Sequence, residues 1–129
     1  MNQEGLPMGA KDVLVRARGI LEDRKRWTKH VFARDKDGNE VYCLSDEAYS
    51  FCLSGAINRA ASMLTTSGPE RVFLINDAER ALKPDVNVPL DHFNDYLDHE
   101  TGNEFCVELI DMALRRLELA DMVRGAKDE

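Results

Sequence analysis

Residues 27–44 break the helical hydrophobic rhythm on either side of them, and this switch restricts the chain to folds in which a strand pair lies on helices. The run Trp-Thr-Lys-His-Val-Phe-Ala, a polar Arg-Asp-Lys-Asp-Gly-Asn and then Glu-Val-Tyr-Cys-Leu put β-branched and aromatic residues on both sides of Asp37-Gly38. That dipeptide favours a hairpin turn, because glycine takes positive φ without steric cost. Two strands alone are marginal in water, so the predicted hairpin needs a helical surface beneath it.

The helices follow from apolar spacing. Val13, Leu14, Ala17, Ile20 and Leu21 line one face of a helix predicted over 11–25. Ser45-Asp46-Glu47 offers an N-cap and first-turn acids, and Tyr49, Cys52, Leu53, Ala56, Ala60, Met63 and Leu64 extend a second helix to about residue 65. Gly55 inside it costs about 1 kcal/mol against alanine, so it is either simply tolerated or a point where another element packs close. Ser67-Gly68-Pro69-Glu70 opens a third helix over 72–82, although a buried strand at 71–75 fits the same apolar run. Residues 83–89 read as a surface connection. Thr101 and Glu104 form a capping box ahead of Cys106, Leu109, Ile110, Ala113, Leu117 and Ala120, the stripe of a long last helix.

The predicted fold class is therefore α+β, mostly α, with four or five helices and one β-hairpin packed on them. A chain of 129 residues, 43% hydrophobic, holds one core, expected over 10–124 between a loose leader at 1–9 and a fraying tail at 125–129. No apolar run approaches the roughly 18 residues a bilayer span needs, so no membrane association is expected. Cys43, Cys52 and Cys106 are odd in number and widely spaced, which fits reduced thiols in a cytoplasmic protein better than a disulfide or zinc framework.

Charge is distributed unevenly. The net charge is −7, yet residues 1–34 carry Lys11, Arg16, Arg18, Arg24, Lys25, Arg26, Lys29 and Arg34 against Glu4, Asp12, Glu22 and Asp23. Between Pro84 and Met112 the acids Asp85, Asp91, Asp95, Asp98, Glu100, Glu104, Glu108 and Asp111 occur with no lysine or arginine among them. Three readings compete for this stretch: a solvated face, an internal match to the basic first helix, and a surface for a cation or a basic partner. The overall acidity argues against a general nucleic-acid binder, which must neutralise phosphates.

Two constellations could carry chemistry. His92, Asp95 and His99 share one face if a helix runs through them, and imidazoles with a carboxylate suit zinc or a similar metal; a solvated or capping role is the plainer account. Cys52 near a helix start could act as a nucleophile with His99 and Asn94 or Asp95, but it also belongs to an apolar stripe, where a cysteine behaves as a small hydrophobe. Trp27 among Arg24, Lys25, Arg26 and Lys29 could stack on a single-stranded base; an indole packed at a helix-to-strand junction is the commoner case. Residues 35–39 begin like a calcium loop, yet the required glycine is Glu40, which leaves a hairpin turn. No P-loop, dinucleotide glycine motif, GxSxG or HExxH occurs, so no cofactor is expected and no catalytic residue is assigned.

Three blocks together resemble a family of small bacterial and phage proteins of unknown function. The first is Arg26-Trp27-Thr28 leading to Ala33-Arg34-Asp35 and Gly38. The second is Cys52-Leu53-Ser54-Gly55-Ala56 preceded by Phe51. The third is Phe93-Asn94-Asp95 followed by Thr101, where the family more often has Trp-Asn-Asp. The resemblance runs from 13 to 119 and implies no activity. It implies that the hairpin, the Cys-Gly helix and the Asn-Asp turn form one unit around a shared pocket. Asp35 can anchor the turn, Gly55 can admit the hairpin or the last helix, and Asn94-Asp95 can cap backbone groups. If these polar groups instead face a cleft, Arg34, Asp35, Asn94 and Asp95 are the recognition residues, since arginine clamps anions and Asn and Asp read donors. The functional expectation is a non-catalytic binding or protein-interaction module whose partner is a basic protein surface. The alternative is a metal-binding protein or small enzyme using His92, Asp95 and His99, or Cys52.

Overall fold

Val13, Leu14, Ala17, Ile20 and Leu21 are all buried, so the stripe read from the sequence is the face on which the core is built. The helix carrying it is α1, Ala10–Leu21. The computed structural model describes residues 8–128, with side chains to 125. Residues 1–7 of the expected leader and Glu129 of the expected tail lie outside the described residues.

Helix α1 ends four residues short of the predicted 25. The side chain of Asp23 accepts the N–H of Lys25 and starts a 3₁₀ turn, Arg24–Arg26, that redirects the chain and sends Trp27 inward. At its other end the N–H of Ala10 donates to Asp77 at 2.9 Å, which places a carboxylate on the positive end of the helix dipole.

The strand pair forms, with a different second strand. β1, Ala33–Arg34, runs antiparallel to β2, Ser50–Phe51, with Ala33 opposite Phe51 and Arg34 opposite Ser50. The predicted turn is present: Gly38 has φ +89°, and Oδ1 of Asp35 accepts the N–H groups of Asp37 and Asn39, each at 2.9 Å. Beyond a single bridge from Arg34 to Glu40, however, residues 41–44 do not continue the ladder. The N–H of Tyr49 donates to the carbonyl of Arg34 and the N–H of Cys52 to that of Phe32, holding 49–52 extended where a helix was expected. Ser45 caps only a turn, through Glu47 N–H at 3.1 Å. The second helix, α2, is Leu53–Leu64, and Cys52 is its N-cap.

Helix α3, Gly68–Leu82, is continuous, which removes the strand reading of 71–75; Ser67 caps it through the N–H of Glu70 and Pro69 lies in its first turn. Helix α4 is the short Leu90–Tyr96 and α5 the long Gly102–Asp128. α1 packs against α2, α3 and α5, and Leu53, Ala56, Ile57, Ala60, Leu74, Ala78, Ile110 and Ala113 close the core around it. The internal charge match is partly realised. Arg18 grips Asp111 with Nε 2.6 Å from Oδ1 and a second nitrogen 3.3 Å from Oδ2, and Lys11 lies 3.9 Å from both Glu118 and Asp121. Such half-exposed pairs contribute about 1 kcal/mol or less each, so they orient α5 more than they hold it. No helix among the described residues is long and apolar enough to cross a membrane.

Candidate functional site

Asn94 is the centre of the polar residues that the sequence singled out. Helix α4 carries it into the interior, where it is fully buried. Its Oδ1 accepts the indole N–H of Trp27 at 2.8 Å and the backbone N–H of Leu53 at 2.9 Å, with the Cys106 thiol 3.6 Å away. Its Nδ2 donates to the carbonyl of Thr28 at 3.1 Å and to Asp95 at 3.2 Å. Every donor and acceptor of the amide is engaged, which is how a buried polar group avoids its desolvation cost. One side chain thus ties together the chain after α1, the start of α2, α4 and α5.

Asp95 and Arg34 fasten the same loop from outside. Oδ1 of Asp95 accepts the N–H of His30 at 2.8 Å. His30 has φ +77°, a left-handed conformation that costs a non-glycine residue roughly 1 kcal/mol, and the carboxylate helps to hold it there. Arg34 donates to the Thr28 hydroxyl at 2.8 Å, to the Lys29 carbonyl at 3.2 Å and to the Gly38 carbonyl at 3.1 Å. Arg34, Asn94 and Asp95 therefore converge on residues 28–30, while Asp35 faces its own turn. Lys29 reaches across to the carbonyl of Leu97.

Two glycines make the assembly possible. A Cβ on Gly55 would lie 2.0 Å from the carbonyl oxygen of Phe32, so this glycine admits the segment leading into β1 rather than the last helix. A Cβ on Gly102 would lie 2.2 Å from the Trp27 ring, so the first residue of α5 must be bare for the indole to seat. Apolar spacing carries no mark of Gly102; its place beside Thr101 of the capping-box pattern is the only signal it leaves. The same holds for Asn103, whose Nδ2 donates to the last carbonyl of α1, Leu21, at 3.0 Å, while Arg26 of the Arg26-Trp27-Thr28 block donates to the Tyr49 carbonyl at 3.0 Å.

The metal alternative is corrected by the end of α4. That helix stops at Tyr96, so His99 sits in the following turn and shares no face with His92 and Asp95; both histidines are exposed. Among the described residues no group of three His, Cys, Asp or Glu side chains stands close enough to hold a metal ion. The Asp98 carboxylate is occupied with the N–H groups of Glu100 and Thr101 and with the Thr101 hydroxyl.

The thiol alternative meets burial. Cys52 does stand at a helix N-terminus, and its sulfur accepts the N–H of Gly55 at 3.3 Å. Burial outweighs those N–H groups and pushes the thiol up to about 11. Burial pushes Cys106 up to about 12, with the Trp27 N–H only partly offsetting it, and raises Cys43 as well. A neutral, enclosed thiol is a poor nucleophile. Trp27 is itself buried, which removes it as a stacking platform. A broad open groove between α1, α3 and α5, with Lys11, Arg16, Asp77, Arg80 and Leu117 on its walls, includes none of the candidate residues.

Among the described residues, five helices and a short strand pair, closed from inside by the Trp27–Asn94 contact, define a small, mostly helical α+β domain. The chain belongs to a family of unknown function (DUF6197), whose model matches residues 6–116. No curated protein and no solved structure matches it.

Proposed function

We propose that this protein is a non-catalytic interaction module that presents the corner between α4 and α5 to a basic protein surface. Arg34, Asp35, Asn94 and Asp95 frame the fold in this reading, and recognition belongs to the acids outside it. The observation that carries it is a division among the eight acids of residues 84–112. Asp85 pairs with Arg116, Asp111 with Arg18, Asp95 holds His30 and Asp98 caps α5. Asp91, Glu100, Glu104 and Glu108 are exposed and form no ion pair among the described residues. The same stretch carries Tyr96, which is 93% exposed, and Phe105, which is 52% exposed. Aromatic faces beside uncompensated carboxylates suit arginine and lysine, which pair with the acids and stack on the rings.

The test is a titration of an arginine-rich peptide, followed by fluorescence anisotropy at low and high salt. Binding is expected to weaken with salt and to fall at least several-fold in the triple variant Asp91→Asn, Glu100→Gln, Glu104→Gln. The control with the same net charge neutralises the exposed Asp46, Glu47 and Glu70. Equal loss in both variants reduces the effect to bulk charge and overturns the reading.

A further inference from the structure

Along α5, Phe105, Glu108, Met112, Arg115, Leu119 and Met122 recur at alternating steps of three and four residues, on the side of the helix opposite buried Cys106, Ile110 and Ala113. All six are exposed, with Leu119 at 54% and Met122 at 64%. A seam with this heptad spacing is what a helix offers to a second helix. We propose that it pairs antiparallel with the same seam of a second copy of this chain.

The charges choose both the occupant and the orientation. Glu108 and Arg115 interrupt the apolar seam, and neither forms an ion pair among the described residues. Seven residues of helix separate them by about 10 Å, too far for a direct pair. Parallel pairing of two copies sets glutamate on glutamate and arginine on arginine. Antiparallel pairing about a two-fold axis beside Met112 sets each Glu108 against Arg115 of the other copy. The same operation lays Phe105 over Leu119 and brings the two Met112 side chains together. One symmetry operation therefore satisfies both charges and covers Phe105, Met112 and Leu119, as an isologous interface requires.

Asp111 and Glu118 flank the seam: in this arrangement Asp111 approaches its counterpart, and Glu118 approaches Glu104 of the other copy. Asp111 and Glu118 each have a cation of α1 beside them, Arg18 at 2.6 Å and Lys11 at 3.9 Å, which lowers the repulsion. A contact of this length falls at the low end of specific interfaces, about 1,200 Å² in total, so the dimer is reversible and concentration-dependent. Phe105, Glu108 and Glu104 belong to both surfaces, whereas Asp91 and Glu100 lie ahead of α5 and Met112 and Arg115 lie along the seam alone, so Asp91→Asn with Glu100→Gln reports on the basic partner and Met112→Lys on self-association.

Sedimentation equilibrium over a wide concentration range tests the pairing. The unmodified chain is expected to dimerise, Glu108→Arg and Arg115→Glu each to weaken the dimer roughly tenfold or more, and the double reversal to restore it. Met112→Lys is expected to abolish it. All three positions are exposed, so the variants should fold, which circular dichroism and Trp27 emission verify. A chain that stays monomeric at every concentration, single reversals without effect, or a double reversal that fails to restore association would each overturn the proposal.

Discussion

The indole N–H of Trp27 and the backbone N–H of Leu53 meet on one oxygen, Oδ1 of Asn94, at 2.8 and 2.9 Å. Both donors are buried, so that oxygen is all that stands between them and an unpaired state in a dry interior. Asn94→Leu is accordingly expected to cost about 3–5 kcal/mol, the sum of two stranded donors and the lost hold on Thr28. Trp27→Phe, which removes one donor with its ring, is expected to cost less. Because Trp27 is the only tryptophan, urea unfolding followed by its emission reports the first variant, and circular dichroism the second. An Asn94→Leu chain as stable as the parent would mean that the amide is dispensable.

Two glycines in helices should respond in opposite directions to the same methyl group. Gly55→Ala drives a Cβ to 2.0 Å from the Phe32 carbonyl, and that backbone cannot retreat without breaking the bond it accepts from Cys52. A loss on the order of 3 kcal/mol is expected. Gly19, exposed on α1 with nothing near its added Cβ, should gain about 0.5–1 kcal/mol on conversion to alanine from helix propensity alone. Thermal melts of the two variants, run side by side, check the pair of signs.

The thiols should stay silent in the native protein. With Cys52 raised to about 11 and Cys106 to about 12, both are protonated at neutral pH as well as enclosed. Iodoacetamide is expected to modify all three cysteines at the rate of chain opening, and to do so promptly only in denaturant. Mass spectrometry of a native sample showing fast, selective labelling of Cys52 would restore the nucleophile reading.

Asp98 makes a pH-dependent contribution with a definite sign. The N–H groups of Thr101 and Glu100 and the Thr101 hydroxyl favour its charged form and hold the carboxyl below its ordinary 3.8. The folded value lies below the unfolded one, so the cap contributes above pH 3.8 and is lost as pH falls through the depressed value. Carbon-detected NMR titration should show this depression. Thr101→Val, which removes the hydroxyl but keeps the backbone donors, should shrink it without abolishing it.

Much of the helical framework was legible residue by residue. The stripes of α1 and α5, the cap at Ser67 and the turn at Asp37-Gly38 depend on side chains a few positions apart, and short-range spacing reports them faithfully. The second strand was not legible. Tyr49 and Cys52, on either side of Ser50 and Phe51, fit the apolar steps of a helix as well as they fit an extended run, and only the carbonyls of Phe32 and Arg34 decide between the two. The metal triad failed for a related reason: spacing of three and seven assumes an unbroken helix, and α4 ends at Tyr96.

The order of apolar and turn residues alone determined a mostly helical domain with one short strand pair, because burial of a periodic face is a local demand. Which polar groups went inside was settled by distant partners: Trp27 and Asn94 lie 67 positions apart and find each other only once α1, α4 and α5 have packed. A buried hydrogen bond needs both members delivered to one place, and delivery is a property of the assembled chain.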